Sequence, residues 1–227
     1  KGVRVMVEYT DPNPFKEFHI GHLMNNAIGE SISRLIEFSG AEVRRANYQG
    51  DVGMHVGKAL WGMRRLAEGA RDAATWGRAY AIGAKAYEED AGAKEEIQEI
   101  NQNIYRRSDT DLNKLYDEGR ATSLAHFEEL YKKLGTAFHF YFFETESAPI
   151  GVEMVRRNIG SVFEESDGAV VFQGAKAGLH TRVFINSHGL PTYEAKELGL
   201  AKLKQERWPH DLSIVVTANE INEYFRV

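Results

Sequence analysis

An α/β fold built on a parallel sheet and divided by a block of helices is what this sequence predicts, and three observations carry it. An apolar strand-like run, 3–9, leads through the turn Thr10-Asp11-Pro12-Asn13-Pro14 into a segment, 22–38, with apolar residues at helical spacing. A second strand-like run, 41–48, follows Gly40, the expected helix stop, and completes a strand–helix–strand order. A mostly apolar first strand in that order predicts parallel pairing through a crossover helix. Residues 59–134 then read as almost wholly helical.

The clearest helix of that block starts near Ser108, with Ser108 or Asp109 as its cap. An apolar stripe runs from Leu112 to Leu134, and Gly135 closes the helix. The charged runs 88–90 and 94–96 read as a solvated helix face or loop. After Gly135 the period returns to two across Phe138, Phe140 and Phe142. A short helix at 152–157, strands at 169–172 and 181–186, a turn at Ser187-His188-Gly189, a helix at 193–204 and a strand at 212–217 complete the reading. The simplest topology is one sheet domain made of halves 1–58 and 135–227, split by the insertion 59–134. Lys1-Gly2 directly before a strand, and a helical pattern running into Val227, predict a segment of a longer chain.

Composition narrows the class. The chain has 227 residues, 43% hydrophobic and 27% charged, in the range of ordinary globular domains. With no cysteine there are no disulfides or thiolate metal sites, and no histidine spacing suits zinc, so no metal site is expected. No apolar run approaches a membrane span, and no membrane partner is expected. The net charge of −5 argues against a broadly basic nucleic-acid surface. Arg64, Arg65, Arg106 and Arg107 read as a solvated helical face rather than a phosphate track.

The most informative residues are His19-Ile20-Gly21-His22. Two imidazoles three positions apart are expected on one face of a first helical turn, where backbone N–H groups lack partners and the dipole is positive. That is a site for nucleotide phosphates, with Gly21 opening the backbone to the ligand. Phosphoryl or nucleotidyl transfer suits such a site, because it needs positioning and charge stabilisation more than a covalent nucleophile. No phosphate loop ending in Gly-Lys-Ser/Thr occurs, and the glycine cluster 50–57 after the second strand is expected to form a wall of the site.

The run Val7-Glu8-Tyr9-Thr10-Asp11-Pro12-Asn13-Pro14, then His19-Ile20-Gly21-His22, resembles the catalytic domain of class I arginyl-tRNA synthetases. The similarity continues through 47–53, 134–147, 167–172 and 189–197, in the family's order. It implies a Rossmann-like sheet and two-step chemistry, in which ATP with Mg²⁺ activates arginine to arginyl-adenylate and the arginyl group passes to the 3′ end of tRNA(Arg). By this resemblance His19, Gly21, His22, Gly50, Asp51 and, more weakly matched, Glu220 would bind ATP, with His19 and His22 catalytic. Glu8 and Asn13 would contact the arginine substrate, and Tyr193 and Glu197 would read its guanidinium. A carboxylate beside an aromatic face suits a planar cation, and residues four apart share a helix face.

Three positions depart from the family pattern: Glu197 stands where aspartate is more usual, His55 where glutamine is common, and Met54 where a small polar residue is. The lysine-rich signature loop and the anticodon-binding domain do not occur in this sequence, so the isolated segment is expected to be weakly active or inactive. The resemblance also implies a cytoplasmic monomer. The histidine motif taken alone fits another class I synthetase, a nucleotidyl transferase of the same motif, or a synthetase-like module that binds without turnover.

Overall fold

The computed structural model describes residues 2–66 and 71–227, with the side chain of Glu220 left aside. The chain divides into two compact units. One comprises 1–9, 28–47 and 139–227, and the other 10–27 and 48–138.

The first unit is built on a four-stranded sheet of order β3-β2-β1-β7. Strands β1 (Arg4–Glu8), β2 (Glu42–Gln49) and β7 (Leu212–Val215) pair in parallel, with Val5 opposite both Val43 and Leu212. Val5, Met6 and Val7 are buried, as expected of a central parallel strand covered on both faces. Helix α1 (Ile20–Phe38) connects β1 to β2, and Gly40 follows it at positive φ, so this α/β opening has the predicted order. β3 (Phe140–Phe143) forms the edge beside β2. Arg45 on β2 grips Glu37 with both guanidinium nitrogens, at 2.8 and 2.9 Å, and also pairs with Glu30, which accepts the Tyr9 hydroxyl.

Two expectations need correction here. The short helix predicted at 152–157 is the tail of α6 (Glu144–Arg157), which starts directly from β3 and carries Pro149 inside it. Proline removes a donor and usually ends a helix, which hid the first half of α6 in the sequence. The strands at 169–172 and near 181–186 also do not join the parallel sheet. They are β5 (Ala169–Phe172) and β6 (Arg182–Ile185) of a separate antiparallel sheet, β4-β5-β6, whose first strand β4 is Glu164–Ser166. The β4–β5 turn places Asp167 and Gly168 both at positive φ, the geometry that matches strand twist in a tight hairpin. Phe163, Phe184, Ile185, Val155 and Ala195 form the core beneath it.

α7 (Tyr193–Arg207) crosses α6 with glycine on both sides. A Cβ added at Gly199 would collide with the Ser147 carbonyl oxygen, and one at Gly151 with that of Ala195. The helices therefore meet backbone to backbone.

The second unit holds α2 (Met54–Met63), α3 (Ala73–Glu89), α4 (Ala91–Arg106) and α5 (Thr110–Leu134). Asp72, Asp90 and Asp109 cap the last three, each accepting backbone N–H bonds from the first turn. Gly135, at φ 68°, ends α5 as predicted. Phe15, Leu60, Trp76, Ile97, Leu112 and Tyr116 lie at the centre of its core. α2 and α3 also cross on glycine, since a Cβ at Gly62 would strike the Ala79 carbonyl and one at Gly83 that of Lys58.

Gly199→Ala is expected to lower the unfolding free energy by about 1–3 kcal/mol, because the helices must separate to admit a methyl group. Urea unfolding measures it, and an unchanged midpoint would show that the crossing has slack.

Candidate active site

The segment after β1 is held in a conformation that its residues would not choose unaided. Thr10, Asp11 and Phe15 all have positive φ, at 79°, 47° and 70°. Non-glycine residues persist there only when their surroundings over-determine them, and such strain clusters at functional sites. Within the second unit the fixings are explicit. Asn25 Oδ1 accepts the Thr10 N–H at 3.0 Å, and Asn26 donates to the Thr10 hydroxyl at 2.9 Å. Asp11 accepts the Tyr48 N–H at 2.8 Å, Asn13 the Gly50 N–H at 3.0 Å, and Ser123 Oγ the Phe15 N–H at 2.9 Å.

That brace delivers the chain to the start of α1, where the histidines sit differently from the expectation. His19 lies ahead of the helix rather than in its first turn. Its carbonyl accepts from His22 and Leu23, and its Nδ1 accepts the Gly21 N–H at 3.1 Å. His22 Nδ1 in turn accepts the His19 N–H at 3.2 Å. The two rings stack with centroids 3.8 Å apart. Because both Nδ1 atoms accept from backbone donors, each neutral ring carries its hydrogen on Nε2. Burial, then the neighbouring His19 and Lys16 charges, lower the His22 pKa to about 4, so this ring is neutral at pH 7. Gly21 makes room for the His19 ring, whose Cε1 would lie 2.9 Å from a Cβ at that position. The glycine was expected to open the backbone to a ligand, and here it admits the imidazole instead.

Gly50 and Asp51 are less open than the sequence suggests. The Gly50 N–H is bound by Asn13, and its carbonyl accepts from His55 Nε2 at 2.7 Å. Asp51 is fully buried, and its carboxylate holds Arg120 at 2.9 Å. Both residues are buried and brace the loop through these bonds. Asn13 likewise commits its side-chain oxygen to Gly50. Arg120, which pairs with Asp51, and Asn13, which accepts the Gly50 N–H, are far away in sequence, so no local pattern announces them.

The first unit contains a cavity of about 400 Å³. Glu194, Glu197, Ala201 and Lys204 of α7 line one side, and Tyr224 and Phe225 of α8 (Asn222–Arg226) also line it. Glu8, at the end of β1 and 2% exposed, forms a close ion pair with Lys204. Lys196 and Glu144 form a second buried pair at 2.7 Å. Burial pushes the Glu197 carboxyl up to about 8, reinforced by the charges of Glu8 and Glu144 and opposed by Lys204. Burial, followed by the Glu197 charge, also raises the Tyr224 phenol. The Tyr224 hydroxyl is buried with no hydrogen-bond partner among the described residues.

Tyr193 does not take the place expected of it. It is 65% exposed and absent from the cavity wall, with the Lys196 ammonium 5.3 Å from its ring centroid. Tyr224 and Glu194 line the cavity beside Glu197, and neither was singled out in the sequence. Glu194 stands three residues before Glu197, a spacing that could have flagged it, whereas Tyr224 read only as part of an apolar helix face. Glu220, expected at the nucleotide, has its side chain outside the described residues.

A parallel sheet whose first crossover helix opens on paired imidazoles is the arrangement of a class I synthetase catalytic domain. Comparison with known families agrees: the model described as tRNA synthetases class I (R), catalytic domain, matches residues 1–227. The chain belongs to this family, whose members use ATP. It is 30% identical to an arginine–tRNA ligase of Treponema pallidum and 28% identical to one of Treponema denticola, in each case over 100% of this chain and 40% of the relative. The chain thus spans about 40% of the length of the curated relatives it matches. Among solved structures, arginyl-tRNA synthetase of Plasmodium falciparum superposes with a TM-score of 0.78 at 20% identity, over 98% of this chain and 38% of that one. That of Thermus thermophilus gives 0.64 at 25% identity, over 89% and 36%. No helix among the described residues is long and apolar enough to cross a membrane.

Folding lowers the His22 pKa from 6.5 to about 4, so the unfolded chain binds the extra proton between these values. The stability His22 contributes is therefore present above about pH 6.5 and lost as pH falls toward 4. His22→Gln is expected to shrink the drop in melting temperature over that interval, and identical drops in both proteins would contradict the assignment.

Proposed function

We propose that this chain is the catalytic core of an arginine–tRNA ligase, and the observation that carries the reading is the cavity of Glu194, Glu197 and Tyr224. A planar cation with five donors is met best by carboxylates with an aromatic neighbour, in a site already short of positive charge. The segment 59–134 acts as an insertion between the catalytic halves 1–58 and 135–227, a reading supported by the absence of any strand among the described residues between β2 and β3.

The reaction joins the arginine carboxylate to the α-phosphorus of ATP and expels pyrophosphate, and the adenylate then passes its arginyl group to the 3′-terminal ribose of tRNA(Arg). The chain's own residues position and neutralise. Nε2–H groups of His19 and His22 donate to phosphate oxygens and strengthen as charge builds there. A neutral His22 fits this task, because it donates through Nε2–H and releases no proton when the nucleotide leaves. Glu197 receives the guanidinium, and Glu8, held by Lys204, contributes negative charge to the same region. Asn13, Gly50 and Asp51 hold the loop that carries His19. Glu220 is kept as an ATP contact on the family resemblance alone. Mg²⁺ accompanies ATP on its phosphates. The reading extends to a monomer in the cytoplasm, whose remaining segments engage tRNA, and to weak or no turnover by the isolated chain.

Arginine-dependent exchange of pyrophosphate into ATP, run on the full-length parent with tRNA(Arg), tests the proposal, and no exchange under those conditions would end it. In the same assay His22→Ala is expected to cost about 10²–10³ in rate.

The guanidinium requires ionised Glu197, whose pKa lies near 8, so arginine must displace a proton at neutral pH. Arginine affinity is expected to rise from pH 6 to about 8 and to show no such rise in Glu197→Gln. A flat wild-type profile over that range would remove Glu197 from the site.

A further inference from the structure

We infer that Glu194 is a second guanidinium-binding carboxylate of this site, held in the empty protein by Arg182 as a stand-in for the substrate side chain. The inference rests on the arginine reading of the cavity and adds a specificity-determining residue to it.

The geometry is that of an under-used carboxylate. Glu194 lines the cavity one helical turn before Glu197, so both carboxylates project from one face of α7. Its side chain is 13% exposed, too sheltered for water to satisfy it fully. Its ion-pair partner is Arg182 on β6, with Nη1 at 3.8 Å, beyond hydrogen-bonding distance. Arg182 is itself poorly satisfied, since its Nε is buried with no hydrogen-bond partner among the described residues. A charge pair in this state has attraction without the bonds that would make it strong. An incoming guanidinium offers Glu194 directed N–H donors, which the Arg182 geometry does not supply.

Two carboxylates also divide the work in a way that one cannot. A guanidinium presents donors along more than one edge, and a single carboxylate satisfies one of them. Glu197 and Glu194 can each take an edge, while the Tyr224 hydroxyl, which lacks a partner, is available as an acceptor. A urea group of the same shape has neither the charge nor the full set of donors, and would leave buried carboxylates unmatched. Discrimination of this kind is steep, because the cost falls on the site's unpaired polar groups.

The test reads opposite signs from two variants of the full-length parent, using arginine-dependent pyrophosphate exchange with tRNA(Arg). Glu194→Gln is expected to raise the arginine KM about tenfold or more while kcat changes little, as loss of a charge-assisted bond common to ground and transition states requires. It should also shrink the preference for arginine over citrulline, measured by competition. Arg182→Gln is expected to lower the arginine KM by about two- to fivefold, because it frees Glu194 from a half-buried ion pair too long for a hydrogen bond. If the pair is only a brace, both variants raise KM together, and that result overturns the inference. So does an unchanged KM in Glu194→Gln. In either case wild-type exchange persists and the arginine reading stands. Absence of arginine-dependent exchange in the wild type would remove reading and inference together. Should Glu194→Gln fail to fold, a raised KM in Arg182→Gln alone is sufficient to overturn it.

Discussion

Charge balance inside the sheet unit is the constraint from which the rest of its architecture follows. Three buried or nearly buried carboxylates, Glu8, Glu144 and Glu197, share that interior with two buried ammonium groups, Lys196 and Lys204. Burying a charge is costly unless it is paired, and removing either partner of a pair leaves the other stranded. Each lysine of α7 answers one glutamate, on β1 or at the start of α6, so the register of α7 is tied to both elements. The third carboxylate has no lysine of its own. Burial and the charges of the other two push its pKa up to about 8, so the interior holds it partly protonated at neutral pH.

The second unit obeys a different constraint, one of backbone conformation. Three non-glycine residues between positions 10 and 15 occupy the left-handed region; side chains from α1 and α5 anchor the Thr10 and Phe15 amides, and Asp11 itself anchors the Tyr48 amide. Strain of this sort is tolerated because the fixings are numerous, and what they hold is the approach to His19. Asp51 and Gly50 belong to that scaffold.

The sequence made the scaffold more legible than the site. β1, α1 and β2 follow from apolar period and a terminal glycine, and α5 from an aspartate cap and Gly135, all of which are local signals. α6 was obscured by Pro149, a residue whose usual meaning is a helix boundary. The antiparallel sheet escaped because period-two patterns reveal strands but not the sheet they join. At the site, the His-x-Gly-His pattern pointed to the start of α1, yet the Nδ1 bonds that set the ring tautomers depend on His19 preceding the helix. Spacing along α7 makes Tyr193 and Glu197 visible in the sequence, whereas the approach of Tyr224 to the same cavity as Glu197 leaves no local signal. Tertiary partners such as Arg120 for Asp51 leave no trace in a single sequence.

The glycine crossings have a consequence for how this protein can change over time. Where α6 meets α7, and α2 meets α3, main chain rests on main chain, so the axes are positioned by atoms every residue shares. Side chains on the exposed faces of these helices can be exchanged without tilting or sliding them. A lineage can therefore drift across most of α7 while Glu194, Glu197 and Lys204 keep their mutual placement. Sequence turnover and active-site geometry are uncoupled by four positions that carry no side chain at all.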